Sequence, residues 1–228
     1  MELRDALRTT GAVRAFLADP VADDVLFRVL DDARFGPSGG NRQAWHVIVL
    51  KDVAVREALG ALYLDAWHDY VGHVLEGLVP FSPLASDDER ARAARRRGDA
   101  VALSRPDGFA ETIASAPALL AVSVEIGALA ATDRDLGRYQ VVGGASVYPF
   151  IWNVLLAAHE YGLGGVMTTV ATRREPEVAR LLHLPATHAL AAVVALGYPQ
   201  ARPTKLTRKR VDEFVTVDRY DGDPFTGQ

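Results

Sequence analysis

Ala33-Arg-Phe-Gly-Pro-Ser-Gly-Gly-Asn-Arg-Gln-Ala-Trp-His-Val-Ile-Val49 joins a helix end, a Gly/Pro loop and an apolar run. Upstream, Asp23 and Asp24 supply acidic groups for a helix N-terminus, and Val25, Leu26, Val29, Leu30 and Ala33 share one face. This pattern predicts a helix ending near Phe35. Gly36-Pro37-Ser38-Gly39-Gly40-Asn41 cannot continue it, and His46 to Leu50 reads as a short buried strand. The loop is therefore held between two rigid elements. Its glycines allow close backbone approach to a ligand, and Asn41 offers both donors and an acceptor.

Working outward, residues 52 to about 77 follow a helical pattern, after which Pro80, Pro83, Ser86 and an arginine-rich run interrupt the chain. Ser86 and Glu89 have capping-box spacing, opening a helix with Arg90, Arg92, Arg95, Arg96 and Arg97. That run reads as a solvated face rather than a substrate clamp. Pro117 to Val124 and Ala189 to Leu196 read as strands covered on both faces, and Ala145 to Tyr161 as a long apolar helix closed by Gly162. With no repeat or low-complexity linker, residues 1–228 read as one α+β domain, helices packed over a small sheet. An excursion from about residue 63 to 111, bearing Trp67, Tyr70 and Phe81, is expected to act as a lid, though aromatics there also suit ordinary packing.

A 49% hydrophobic content is ample for a core, and a net charge of -4 gives no electrostatic reason to expect nucleic acid. The absence of cysteine removes disulfides, thiolate metal sites and thiol nucleophiles. The charged residues near the N-terminus do not suit a signal peptide, and no apolar run approaches a membrane span, so a cytoplasmic protein is expected. Gly162-Leu-Gly-Gly-Val-Met167 lacks the third glycine of a dinucleotide fingerprint and follows a helix instead of a strand. The six histidines show no metal-ligand spacing, so no metal is expected.

Four segments carry a resemblance to the FMN-dependent nitroreductase family. Thr10-Gly-Ala-Val-Arg-Ala-Phe16, with Asp19-Pro20-Val21, is similar to the family's leading R-R-S-x-R-x-[FY] segment. The stretch from Ala33 to Val49 resembles its A-P-S-x-x-N-x-Q-P-W signature. Asn153-Val-Leu-Leu-Ala-Ala-His-Glu-Tyr-Gly-Leu-Gly164, continuing into Gly165-Val-Met-Thr-Thr169, resembles its N-L-x-L-A-A-x-x-x-G-L-G helix. Leu196-Gly-Tyr-Pro199, then Arg208-Lys-Arg210 and Phe214, resembles its closing G-Y-P and basic tail.

The resemblance implies a mainly antiparallel sheet wrapped by helices in an intertwined homodimer, with a tail of about residues 200–228 reaching the partner subunit. It implies bound FMN, reduced by NAD(P)H and reoxidised by a small organic acceptor in ping-pong fashion. The implied cofactor residues are Thr10, Gly11, Ala12, Arg14, Pro37, Ser38, Gly39, Asn41, Met167, Thr168, Thr169, Arg208 and Arg210. Thr169 would present its backbone N–H to flavin N5, and Arg14 would stabilise negative charge on the reduced ring. Arg208 and Arg210, two apart on an extended segment, share a face that suits a phosphate. Thr10, Gly11 and Ala12 depart from the family's two arginines and serine, removing a phosphate-binding cation, and Val170 replaces a frequent glycine. Alternatives within the family are a dehydrogenase or oxidase and a reductive dehalogenase. The flavin-fragmenting branch is disfavoured by Gly39-Gly40-Asn41, and a non-catalytic FMN-binding protein is the alternative of another class.

Overall fold

The computed structural model describes residues 2–203 and 205–227. Met1, where the signal-peptide reading begins, and Thr204 and Gln228, within the expected tail, lie outside the described residues. Four strands form one antiparallel sheet in the order β1-β2-β4-β3. The chain passes through α1 (Leu3–Thr9), α2 (Asp23–Ala33), β1 (Trp45–Val49), α3 (Val53–Leu75), α4 (Asp87–Arg95), α5 (Arg97–Ala102) and α6 (Phe109–Thr112). It continues through β2 (Ala118–Glu125), α7 (Tyr148–Glu160), β3 (Gly164–Thr168), α8 (Glu175–Leu181) and β4 (His188–Gly197).

The two apolar runs become the central strands. Every residue of β2 except Glu125 is buried, as is β4 from Leu190 onward. Leu120, Val122, Val194 and Leu196 face α2 and α7; Leu119, Ala121, Val193 and Ala195 face α3, α6 and α8. The sheet is thus a middle layer between two helical layers, each burying apolar surface worth roughly 1.5–3 kcal/mol per large side chain. Trp45 stacks on Phe150 at 4.7 Å between centroids, joining the start of β1 to α7.

Several expectations shift. The run from His46 is an edge strand, with His46 and Val49 exposed, because only β2 pairs with it. The long apolar helix starts at Tyr148, not Ala145; residues 142–146 form a 3-10 turn, and Pro149 fits the first helical turn, where its missing N–H costs nothing. The segment after Gly162 is a fourth strand. Gly162 adopts φ +81, while Gly162 N–H donates to His159 O at 3.1 Å and Leu163 N–H to Ala158 O at 2.8 Å. This Schellman closure turns α7 directly into β3.

Candidate functional site

β3 lies at the sheet edge, and the residues after α1 run beside it. Ala12 forms a parallel bridge with Gly165, and Val13 N–H donates to Gly165 O at 2.9 Å. Gly164 permits this approach, since a Cβ there would sit 2.7 Å from Val13 Cγ2. Arg14 consequently projects at the rim of a cavity of about 470 Å³ between β3 and α3. Met167, Thr168 and Thr169 line one side, Tyr63, Trp67 and Tyr70 the α3 side, and Phe109 a third wall. Trp67 and Tyr70 stack at 4.8 Å.

Thr169 leaves the strand with φ -106 and ψ 1, and its carbonyl accepts from Thr172 N–H and Oγ1 at 3.0 and 2.7 Å. The peptide after β3 is thereby held at the cavity wall. Tyr63 Oη lies 3.2 Å from Thr168 Oγ1. Burial raises the Tyr63 pKa above its ordinary value, overriding the Thr168 bond and the Arg14 charge, so the phenol stays neutral near pH 7.

The remaining expected residues are dispersed. Thr10 is buried, with Oγ1 2.7 Å from His159 Nδ1. Burial and then the Arg202 charge lower the His159 pKa, keeping the ring neutral. Gly11 lies under the tail, where a Cβ would meet Leu206 Cδ2 at 2.9 Å and Pro203 Cγ at 3.1 Å. Arg208 is exposed and donates to Thr207 O, whereas Arg210 is paired with Asp212 at 3.0 Å.

Pro37, Ser38, Gly39 and Asn41 line no part of the cavity in this chain. They lead into β1, and two strands separate β1 from β3, a lateral offset of about 14 Å. The loop is nevertheless organised: Ser38 Oγ accepts from Gln43 N–H, and Gly39 N–H donates to Ser146 Oγ. Asn41 holds φ +52, a conformation Asn tolerates well.

The sequence offered no signal for an ion-pair ring beside the cavity. Asp65 and Asp69, one turn apart on α3, each bond both Arg97 and Arg174; the Arg174–Asp69 distance is 2.6 Å. Arg97 therefore leaves the expected solvated face and ties α5 to α3, while Arg174 ties in the 3-10 turn following Thr169. Burial opposes the charge on Asp65, but the bonds and charges of Arg174 and Arg97 prevail and depress its pKa.

The sequence matches the nitroreductase family over residues 7–198. The chain belongs to the nitroreductase family. The NADH dehydrogenase of Thermus thermophilus is 28% identical to this nitroreductase-family chain over 200 residues, covering 87% of each. The nitrobenzene nitroreductase of Ectopseudomonas oleovorans is 24% identical over 223 residues, 93% of this chain and 95% of that one. An iodotyrosine deiodinase structure bound to FMN and 3-iodo-L-tyrosine shares the nitroreductase fold with a TM-score of 0.64. It is 21% identical, and the match covers 96% of this chain and 99% of that one.

Proposed function

We propose that this chain is an FMN-dependent oxidoreductase that takes hydride equivalents from NAD(P)H and passes them to a small planar organic acceptor. The convergence of Arg14, Thr168, Thr169 and four aromatic side chains on one cavity carries this reading. The cavity volume is in the range of ligand clefts, with a strand end on one side and rings on the other. Among the described residues, Arg208 is exposed without a carboxylate partner, leaving its charge for a phosphate, while Arg210 already shares its charge with Asp212. These residues fit FMN, whose ring supplies the hydride chemistry when bound.

In this reading Thr169 N–H would hold the ring by a hydrogen bond, Arg14 would offset negative charge on the reduced ring, and Met167 and Thr168 would line its slot. Trp67, Tyr70 and Phe109 shield the ring from water and select flat acceptors such as nitroaromatics, quinones or enones. One cavity serving nicotinamide and acceptor in turn suits ping-pong exchange. The distant Pro37–Asn41 loop completes the site only if a second copy contributes it, so the functional unit is a homodimer with residues 200–228 crossing to the partner. Phe35, just before that loop, and Phe27 on α2, each 72% exposed, suit an interface.

The test is to reconstitute the purified chain with excess FMN, remove free flavin and titrate it anaerobically with NADH and NADPH. One FMN per chain and loss of the flavin absorbance band are expected. Failure to retain flavin ends the proposal; retained flavin that neither nucleotide bleaches leaves a binding protein instead of a reductase.

A further inference from the structure

A second cavity, of about 380 Å³, lies behind Tyr70 on α3. Asp69, His73, Phe81, Ser82, Arg90 and Arg173 line it. Asp69 is committed to Arg97 and Arg174, so its charge is already balanced. Arg173 makes no ion pair among the described residues; its guanidinium rests 4.6 Å above the Phe81 ring. Arg90 is satisfied from outside by Asp87, an almost fully exposed carboxylate. The chamber therefore presents net positive charge.

Two further observations point to a ligand. Phe81 adopts φ +54, a costly conformation for a bulky residue, and its ring is held 4.7 Å from His73 and 6.3 Å from Tyr70. His73, only 8% exposed, places Nδ1 2.9 Å from Asp69 O. A carbonyl oxygen only accepts, so Nδ1 carries a proton; in the neutral ring Nε2 is then an acceptor, and it has no partner among the described residues. Ser82 Oγ accepts from Leu84 N–H, leaving its O–H to donate.

We propose that this chamber is a second ligand site, distinct from the redox cavity, for a small aromatic carboxylate carrying a hydroxyl or amino donor. Arg173 and Ser82 take the carboxylate, Phe81 the ring, and His73 Nε2 the donor. The volume is at the small end of ligand clefts, which run from roughly 300 to 1,000 Å³, so it suits one substituted ring and excludes a dinucleotide. The site stands whether or not flavin occupies the first cavity.

The test is calorimetric titration of the purified protein with 4-hydroxybenzoate, in parallel with 4-hydroxybenzyl alcohol and inorganic phosphate. The carboxylate should bind at least tenfold more tightly than either comparison compound. Arg173→Gln should weaken it tenfold or more, and Arg14→Gln should leave it unchanged. Phe81→Asn, which the left-handed backbone accepts readily, should lose binding while the protein remains folded by circular dichroism. Equal affinity for phosphate, indifference to Arg173→Gln, or equal loss in Arg14→Gln would each overturn the proposal.

Discussion

Arg14 is an exposed cation whose position depends on backbone, because its neighbours Ala12 and Val13 are tied to Gly165. With FMN bound, its charge would favour the reduced, more negative ring. A hydrogen bond to a charged group contributes about 1.5–3 kcal/mol, and about 30 mV corresponds to 1.4 kcal/mol for a two-electron couple. Solvent screening at an exposed side chain favours the lower bound. Arg14→Ala is therefore expected to lower the flavin midpoint potential by about 30 mV in a spectroelectrochemical titration. An unchanged potential removes Arg14 from the ring's surroundings.

At the scale of elements, the contact of the leading segment with β3 is set by what is missing at residue 164. Alanine ordinarily improves on glycine in a strand, yet here its Cβ would be 2.7 Å from Val13 Cγ2. Gly164→Ala should lower stability in denaturant titrations by about 1–3 kcal/mol, the range for overpacking. A stabilised variant would show that the segment is loosely held. The Asp65 ring makes a second demand. The folded-state pKa of Asp65 is depressed, so its contribution is present above the unfolded value of about 3.9 and is lost as pH falls through the folded value. Hydrogen exchange, corrected for intrinsic rates, should show residues 87–102 keeping their protection relative to the sheet from pH 6 down to about pH 4 and losing it as pH falls below about 3.9. Asp65→Asn should show that loss already at pH 6; parallel behaviour of helices and sheet would remove the latch.

These elements were unequally legible in the sequence. β2 and β4 stood out because their apolar runs contain no internal glycine or proline, so burial on both faces was written into composition alone. β3 was missed because it is short and opens with Gly164 and Gly165, which read as loop after a helix stop. Thr168 and Thr169 could be placed only through family resemblance. The ring of Asp65, Asp69, Arg97 and Arg174 was invisible, since Arg174 lies 109 residues from Asp65 and no local period connects them.

For the whole molecule, the proposed phosphate grip is uneven in a way that sequence spacing did not anticipate. Arg210 already faces Asp212, whereas Arg208 has no acid partner among the described residues. Arg208→Ala should weaken FMN about ten- to a hundredfold, the equivalent of about 1.5–3 kcal/mol for a charge-assisted bond. Arg210→Ala should cost less, and riboflavin should be nearly indifferent to both. Equal losses for the two flavins in fluorescence-quenching titrations would mean that these arginines act through folding. Sedimentation of the same samples should give a dimer; a monomer with full FMN affinity would contradict the two-copy site.

The ion-pair ring also has a modular consequence. Residues 76–108 leave the body at the end of α3 and return at α6, and Arg97 fastens the intervening helices to a point shared with Arg174. None of these residues belongs to the sheet. The stretch is thus carried outside the sheet but fastened to α3 at several points, by Arg97 on Asp65 and Asp69, by Ser104 on His68 and by Ala93 against Gly72, so its outer side chains can change without moving the sheet edge at Thr168.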